Sequence, residues 1–111
     1  MIYFIQAGDT GPIKIGKGND PERRLRELQT GAYVRLHLRA ILDVEDGVEQ
    51  HFHEILESCR TLGEWFRGDE LIVNIAMACA MAGQVWEPFC CGCGQQTKLN
   101  VARRFAARGR D

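Results

Sequence analysis

Near the start of the chain, "IYFIQ" at residues 2–6 is a run of mostly apolar, β-forming residues, and "IKIG" at residues 13–16 alternates apolar and polar residues. A period of two is typical of a β-strand, and the turn-forming residues "AGDTGP" between the runs predict a hairpin. In this hairpin Ile13 and Ile15 face one way and Lys14 the other. In two antiparallel strands, the sequence numbers of each directly opposed pair of residues add up to the same total. Tyr3 and Lys14 therefore share a face only if the loop has an even number of residues or a bulge shifts the register.

The stretch "NDPERRLRELQTG" at residues 19–31 predicts the first helix. Asp20 or Asn19 can cap its N-terminus, Pro21 suits the first turn, and Gly31 can end it. Leu25 and Leu28 form its buried stripe.

Residues 45–59 predict a second helix, which buries Val48, Phe52 and Ile55. Residues 69–83 predict a third, apolar on most sides, with Asp69 as a candidate cap and Gly83 as a candidate stop. Residues 35–44 predict a third strand, and "GEWF" at residues 63–66 is a short link that could be extended. The element order is therefore β-β-α-β-α-α, an α/β (α+β) chain. We expect one domain over residues 1–83 and a Cys-containing basic extension over residues 84–111.

Composition adds a charge pattern to this picture. The 111 residues are 45% hydrophobic and 26% charged, as in ordinary soluble proteins. Residues 1–39, 40–83 and 84–111 carry net charges of +3, −7 and +3. This distribution fits a polyanion ligand with a carboxylate-held cation, and it equally fits segments that neutralise one another. No apolar run is long enough to cross a bilayer, and no basic region precedes the first apolar residues, so we expect a cytoplasmic protein.

The ordered set "IYF…IKIG…DPERRLREL…E…H…GEWF" resembles the GIY-YIG nuclease superfamily, and within it the T5orf172 or MUG113 branch. The resemblance covers residues 1–82. It implies a three-stranded mixed sheet flanked by helices, and hydrolysis of DNA phosphodiesters with one divalent ion, Mg²⁺ or Mn²⁺. Three departures from the superfamily pattern stand out. Met1 replaces the first glycine, Lys14 replaces the second motif tyrosine, and the late phosphate-contacting asparagine has Asn74 as its only candidate.

The resemblance also implies roles for four residues. Tyr3 would activate or orient water, and Lys14 would hold the phosphate or favour the phenolate form of Tyr3. Arg24 would bind phosphate through its planar fork, and Glu49 would hold the metal ion. The structural alternatives are a packed tyrosine, a solvent-facing lysine, a solvated helix arginine and an exposed glutamate.

Further residues are candidates for contacting nucleic acid: Lys17, Arg23, His53, Arg103 and Arg104. His53 lies four residues after Glu49 and so shares a helix face with it. Basic "ARRFAARGR" would add salt-dependent phosphate contacts, or it is a solvated terminus. We assign "EWF" to packing, with Glu64 bonded to a strand or to Arg24.

The cluster Cys90, Cys91 and Cys93 suggests zinc, but a structural zinc site needs four ligands, usually as two separated pairs. We therefore expect no zinc there, and favour an oxidisable tail or a dimer contact.

The sequence predicts a DNA-binding endonuclease-like domain that nicks DNA, of a kind suited to a phage or mobile-element gene. RNA stays open as a ligand, and no membrane partner is expected. Two alternatives also remain open: a catalytically inactive nucleic-acid-binding module on the same fold, and a protein-interaction accessory factor.

Overall fold

The computed structural model describes residues 1–45 and 47–86. Its strands and helices follow one another in this order: β1 (Ile2–Ala7), β2 (Ile13–Lys17), α1 (Pro21–Thr30), β3 (Leu36–Leu42), α2 (Gly47–Ile55), β4 (Arg60–Leu62), β5 (Trp65–Phe66) and α3 (Leu71–Met81). A 3₁₀ turn at Glu57–Cys59 joins α2 to β4. None of the helices in the described ranges combines the length and the apolar character that crossing a membrane requires.

The five strands form one sheet in the order β3-β1-β2-β5-β4. Every strand pair is antiparallel. The α+β class is as predicted, but the three-stranded mixed sheet is wrong. The link "GEWF" contains β5, which pairs with β2, and β4 is the preceding strand. These strands have two and three residues, too few to show a period of two.

The two faces of the sheet bury different helices. Ile2, Phe4, Ile13 and Ile15 belong to the larger core, which α2 and α3 cover. Tyr3 and Ile5 belong to a smaller cluster on the opposite face, which includes Leu25 and Leu28 of α1. We call these the α2–α3 face and the α1 face. Three layers result, with the sheet in the middle.

The ends of α1 are those predicted from the sequence. A side-chain oxygen of Asp20 accepts a hydrogen bond from the backbone N–H of Arg23 at 3.1 Å, Pro21 begins the helix, and Gly31 follows its last residue. The start of α3 differs from the prediction, because Glu70 rather than Asp69 occupies the N-cap position and makes no capping side-chain bond. Instead, the Asn74 side chain donates to the carbonyls of Gly68 and Glu70 at 2.9 Å each.

The larger core includes residues after α3. Val85 is fully buried and Trp86 is 8% exposed, both in the cluster on the α2–α3 face. A ring nitrogen of His51 lies 3.0 Å from the Trp86 carbonyl oxygen. This core therefore contains residues from both sides of the domain boundary predicted at 83/84. Cys90, Cys91, Cys93, Arg103 and Arg104 lie outside the described residues.

Gly68 packs against the hairpin loop, and this contact gives a test of the fold. A Cβ at residue 68 would collide with the backbone carbonyl of Gly11, which cannot swing aside as a side chain would. We expect Gly68→Ala to lower the free energy of unfolding by roughly 1–3 kcal/mol, the range for overpacking. Urea denaturation measures it. Gly31→Ala is the control, because its Cβ would meet nothing within 4 Å. Equal stability of the two variants would contradict this packing.

Candidate functional site

The register of the hairpin places Tyr3 and Lys14 on the same face of the sheet. Tyr3 lies opposite Gly16, and Ile5 lies opposite Lys14. Because directly paired residues share a face and residues two apart do too, Tyr3, Lys14 and Gly16 all belong to the α1 face. The loop between the paired residues Gln6 and Ile13 is even-membered, which meets the condition set by the sequence.

Gly16 makes room for the ring of Tyr3. A Cβ at residue 16 would lie 2.6 Å from the Tyr3 hydroxyl, 2.8 Å from its Cζ and 3.0 Å from Oε1 of Glu64. Tyr3 is only 3% exposed, so its ring has little freedom to move away. The tyrosine hydroxyl and the Glu64 carboxylate thus both border the space above Gly16. A larger residue at position 16 would fill that space.

Glu64 is fixed to the hairpin by main chain and side chain together. The backbone N–H of Ile15 donates to the Glu64 carbonyl at 3.0 Å. The Lys14 ammonium donates to Oε1 of Glu64 at 2.9 Å, and it also lies 5.8 Å from the centre of the Trp65 ring. Lys14 is 8% exposed, so its charge is buried and needs this partner.

Glu64 is a site residue that the sequence pattern does not reveal, since "EWF" indicates packing. Phe66 is indeed fully buried in the larger core, and Trp65 packs against the cluster on the α1 face. Glu64 was expected to bond either to a strand or to Arg24, and in the structure it bonds to a strand. The pairing of Lys14 with Trp65 is what brings Glu64 to the site. Recognising residues 65–66 as a strand would have found it.

Three side chains form a cluster with the donor atoms of a cation site. Ligand atoms of Glu49, His53 and Glu64 all lie within 4.8 Å of one another. Glu49 and His53 share a face of α2, as predicted, with Oε2 and Nε2 3.9 Å apart. Two carboxylates at this distance can hold a divalent cation through oxygen, the donor that hard cations prefer.

The pKa values of the two carboxyl groups move in opposite directions. Burial raises the pKa of Glu49, and hydrogen bonding to Glu64 and its negative charge raise it further, against the opposing charges of His53 and Lys17. Burial also acts to raise the pKa of Glu64, but hydrogen bonds from Lys14 and Glu49 outweigh it, so this pKa is lowered. Of the two carboxyl groups, Glu49 is therefore the weaker acid and Glu64 the stronger.

His53 supports the cluster from below. It is 8% exposed, and its Nε2 lies 2.9 Å from the carbonyl oxygen of Ile15. A carbonyl only accepts, so Nε2–H donates and this nitrogen is not free to bind a cation. This bond ties α2 to β2. The predicted contact of His53 with nucleic acid stays a prediction.

Arg24 faces the same site from α1. Its pKa is raised, first by hydrogen bonding to Tyr3 and then to Glu27, whose Oε1 is 3.3 Å from Nη1 of Arg24. The side chain of Arg24 is 47% exposed, so solvent also reaches it. Tyr3, Lys17, Arg23 and Arg24 line one pocket of about 290 Å³ at the start of α1.

The four predicted catalytic residues thus belong to one connected group. Tyr3 lies beside Arg24 and, above Gly16, beside the Glu64 carboxylate. Lys14 forms an ion pair with Glu64, and the Glu64 carboxylate lies close to that of Glu49. Asn74 is not in this group, since it bonds the backbone at the start of α3 and lines a different pocket with Gln6 and Arg39. Chemically, the group offers a carboxylate pair for a cation, cations for an anion, and a hydroxyl between them.

Comparison with known proteins identifies a family. A family model described as the T5orf172 domain matches residues 1–81, from the first residue to the end of α3. The match confirms the resemblance to the T5orf172 branch of the GIY-YIG superfamily, a nuclease-like DNA-binding fold. No curated protein and no solved structure matches the chain significantly.

The raised pKa of Glu49 predicts how stability depends on pH. The folded-state pKa of Glu49 is above its unfolded value, so its ionisation costs folding free energy as pH rises from the ordinary glutamate range through the raised pKa. Glu49→Gln cannot ionise, and its amide can still donate to Glu64. The variant should match wild type in acid and become the more stable protein as pH rises. Thermal melts between about pH 4 and pH 8 measure this.

Glu54→Gln is the matched control, because Glu54 is exposed on the same helix and bonds only to Gln50 among the described residues. Its melting temperature should follow wild type at every pH. A difference between Glu49→Gln and wild type that does not change with pH would rule out a raised pKa of Glu49.

Proposed function

The chain belongs to the T5orf172 domain family, and from this premise we propose that it binds DNA and nicks it with a divalent cation, Mg²⁺ or Mn²⁺. The observation that carries the proposal is the pair of carboxylates, Glu49 and Glu64, held beside Tyr3, Lys14 and Arg24. Burial and the neighbouring Glu64 disfavour the ionised form of Glu49, and a cation bound between the two carboxylates would favour it.

Glu49 and Glu64 would hold the ion. Their oxygen donors fit Mg²⁺ or Mn²⁺, and two carboxylates alone leave coordination positions for water and for a phosphate oxygen of the substrate. When bound, the ion would neutralise charge that develops on the phosphate and lower the pKa of water. Metal binding requires both carboxylates to be ionised, so it would be weaker at low pH, where the raised pKa of Glu49 favours the protonated form.

Arg24 would bind the scissile phosphate. Its guanidinium has donors in a planar fork that matches two phosphate oxygens, and it lies in the pocket with Lys17 and Tyr3. The bond to Glu27 is 3.3 Å long and half-exposed, so a phosphate can replace it at small cost. Lys17, whose charge acts on Glu49, would extend the positive field around the phosphate.

Tyr3 would orient the attacking water. Tyr3 is 3% exposed and its hydroxyl lies above Gly16 beside the Glu64 carboxylate, so its position is set before substrate binds. In the reaction, water adds to phosphorus, one P–O bond breaks, and the proton lost by water is balanced by the one gained at the leaving oxygen. The products are a phosphate monoester and a free hydroxyl.

Lys14 has a different role from the motif tyrosine that it replaces. Its ammonium is 2.9 Å from Glu64 and largely buried, so it positions a ligand carboxylate rather than meeting water. Because Lys14 is engaged with Glu64, a second candidate function is also favoured, a non-catalytic DNA-binding module on the same fold. A cytoplasmic location and a phage or mobile-element origin stay predictions.

Plasmid nicking separates these functions. We expect wild type to convert supercoiled plasmid to open circles with Mg²⁺ or Mn²⁺ but not with EDTA. Glu49→Gln, Glu64→Gln and Arg24→Gln should each lower the rate by a factor on the order of 10²–10³, as removing one hydrogen bond to a transition state does in other enzymes. Glu54→Gln and Arg67→Gln, which alter an exposed glutamate and an arginine paired with Glu70, should nick normally.

A wild-type protein that binds DNA but never nicks would favour the binding module. Nicking that continues unchanged in Glu49→Gln and Glu64→Gln would remove the carboxylate pair from the mechanism.

A further inference from the structure

We propose that a basic pocket at the edge of the sheet is a second phosphate-binding surface, which holds the DNA backbone on the other side of α1 from the candidate site. We call it the β3 pocket, and Arg26, Arg35, His37 and Arg39 line it above Leu25 and Leu38. Its volume is about 450 Å³. The inference rests on the proposed function and extends it to the length of substrate that the protein needs.

The arginines that line this pocket lack acidic partners among the described residues. Five of the lysines and arginines in the described ranges have a carboxylate within 4.0 Å: Lys14, Arg23, Arg24, Arg60 and Arg67. Within the same ranges four have none: Lys17, Arg26, Arg35 and Arg39. Arg26 and Arg35 line the β3 pocket, Arg39 borders both that pocket and the pocket of Asn74, and Lys17 lines the pocket of Arg24. Arginines without a carboxylate partner therefore meet along the edge of β3, as an anionic ligand requires.

Arg39 is held in place without being neutralised. Its Nε donates to the side-chain oxygen of Gln6 at 3.0 Å, and an Nη donates to the Asp9 carbonyl at 3.4 Å. Gln6 is 4% exposed, and its own amide nitrogen donates to the Gly11 carbonyl at 3.0 Å. Two neutral oxygens thus orient the guanidinium without neutralising it, on the side of β3 where Gln6 and Asp9 line the pocket of Asn74. The Asp9 carboxylate is 93% exposed and lies 3.7 Å from His37.

The two pockets lie on either side of one helix. Arg24 and Arg26 are two residues apart on α1, which places them about 200° apart around its axis. Arg24 accordingly lines one pocket and Arg26 the other. A helix with its side chains is about 10 Å across, a distance that roughly three nucleotides of a DNA strand span at about 3.4 Å each. A polymeric backbone that crosses α1 can contact both pockets, whereas a mononucleotide cannot.

Salt-dependent DNA binding in EDTA tests this surface without requiring catalysis. The probe is a duplex of about 20 base pairs, and the variant is Arg26→Gln with Arg35→Gln. Both side chains are exposed and make no ion pair in the described ranges, so folding should be unaffected. The slope of log K against log salt should fall by about 0.9 for each phosphate that the variant no longer neutralises. Affinity near 0.1 M salt should therefore fall roughly tenfold or more.

Arg67→Gln is the matched control, because Arg67 is half-exposed and neutralised by Glu70 at 3.1 Å. It should keep the wild-type slope. An unchanged slope in the double variant, or an equal decrease in Arg67→Gln, would overturn the β3 pocket as a DNA-binding surface. So would an unchanged slope accompanied by self-association on gel filtration. That result would mean that the charges only protect an exposed edge strand.

The failure of this inference can be told apart from the failure of the proposed function. If wild type nicks plasmid and the double variant keeps the wild-type slope, only the second phosphate surface is wrong. If wild type shows no salt-dependent binding to the duplex, both are wrong.

Discussion

The ion pair between Lys14 and Glu64 is the interaction on which the candidate site depends. A buried ammonium without a partner is strongly unfavourable, so Lys14 keeps the Glu64 carboxylate at 2.9 Å. The short strand that follows Glu64 pairs with β2 at this point, and the main-chain bond from Ile15 fixes the same residue. The hairpin therefore delivers a carboxylate from 50 residues further along the chain to the ring of Tyr3.

The position of Glu64 makes the ionisation of Glu49 less favourable. Two carboxylates and a buried histidine meet in one cluster, and the pKa of Glu49 rises because burial and Glu64 both oppose its ionisation. A structure selected for stability alone would have little reason to bring these groups together. Buried acidic groups that disfavour each other's ionisation are typical of sites that bind a cation or catalyse a reaction. Gly16 shows the same compromise, since it gives up a side chain to admit Tyr3 and Glu64.

Much of the fold was predictable from local pattern, and much of the site was not. The hairpin, the cap at Asp20 and the shared face of Glu49 and His53 depend on spacing within a few residues, which the sequence displays. The β4–β5 pair could not be recognised, because strands of three and two residues have no measurable period. The missed glutamate follows from that gap. Glu64 enters the site only through strand pairing, and the antiparallel sheet likewise depends on contacts between distant residues.

The ion pairs of the described residues also bear on the two interpretations of the charge pattern. If the basic first segment and the acidic second one neutralised each other, several ion pairs would join them. Only Lys14–Glu64 does so among the lysine and arginine pairs in those ranges, and the others join residues three or four positions apart. Most of the positive charge of residues 1–39 thus stays around α1 and the edge of β3. A surface that keeps its charge in this way is suited to a polyanion.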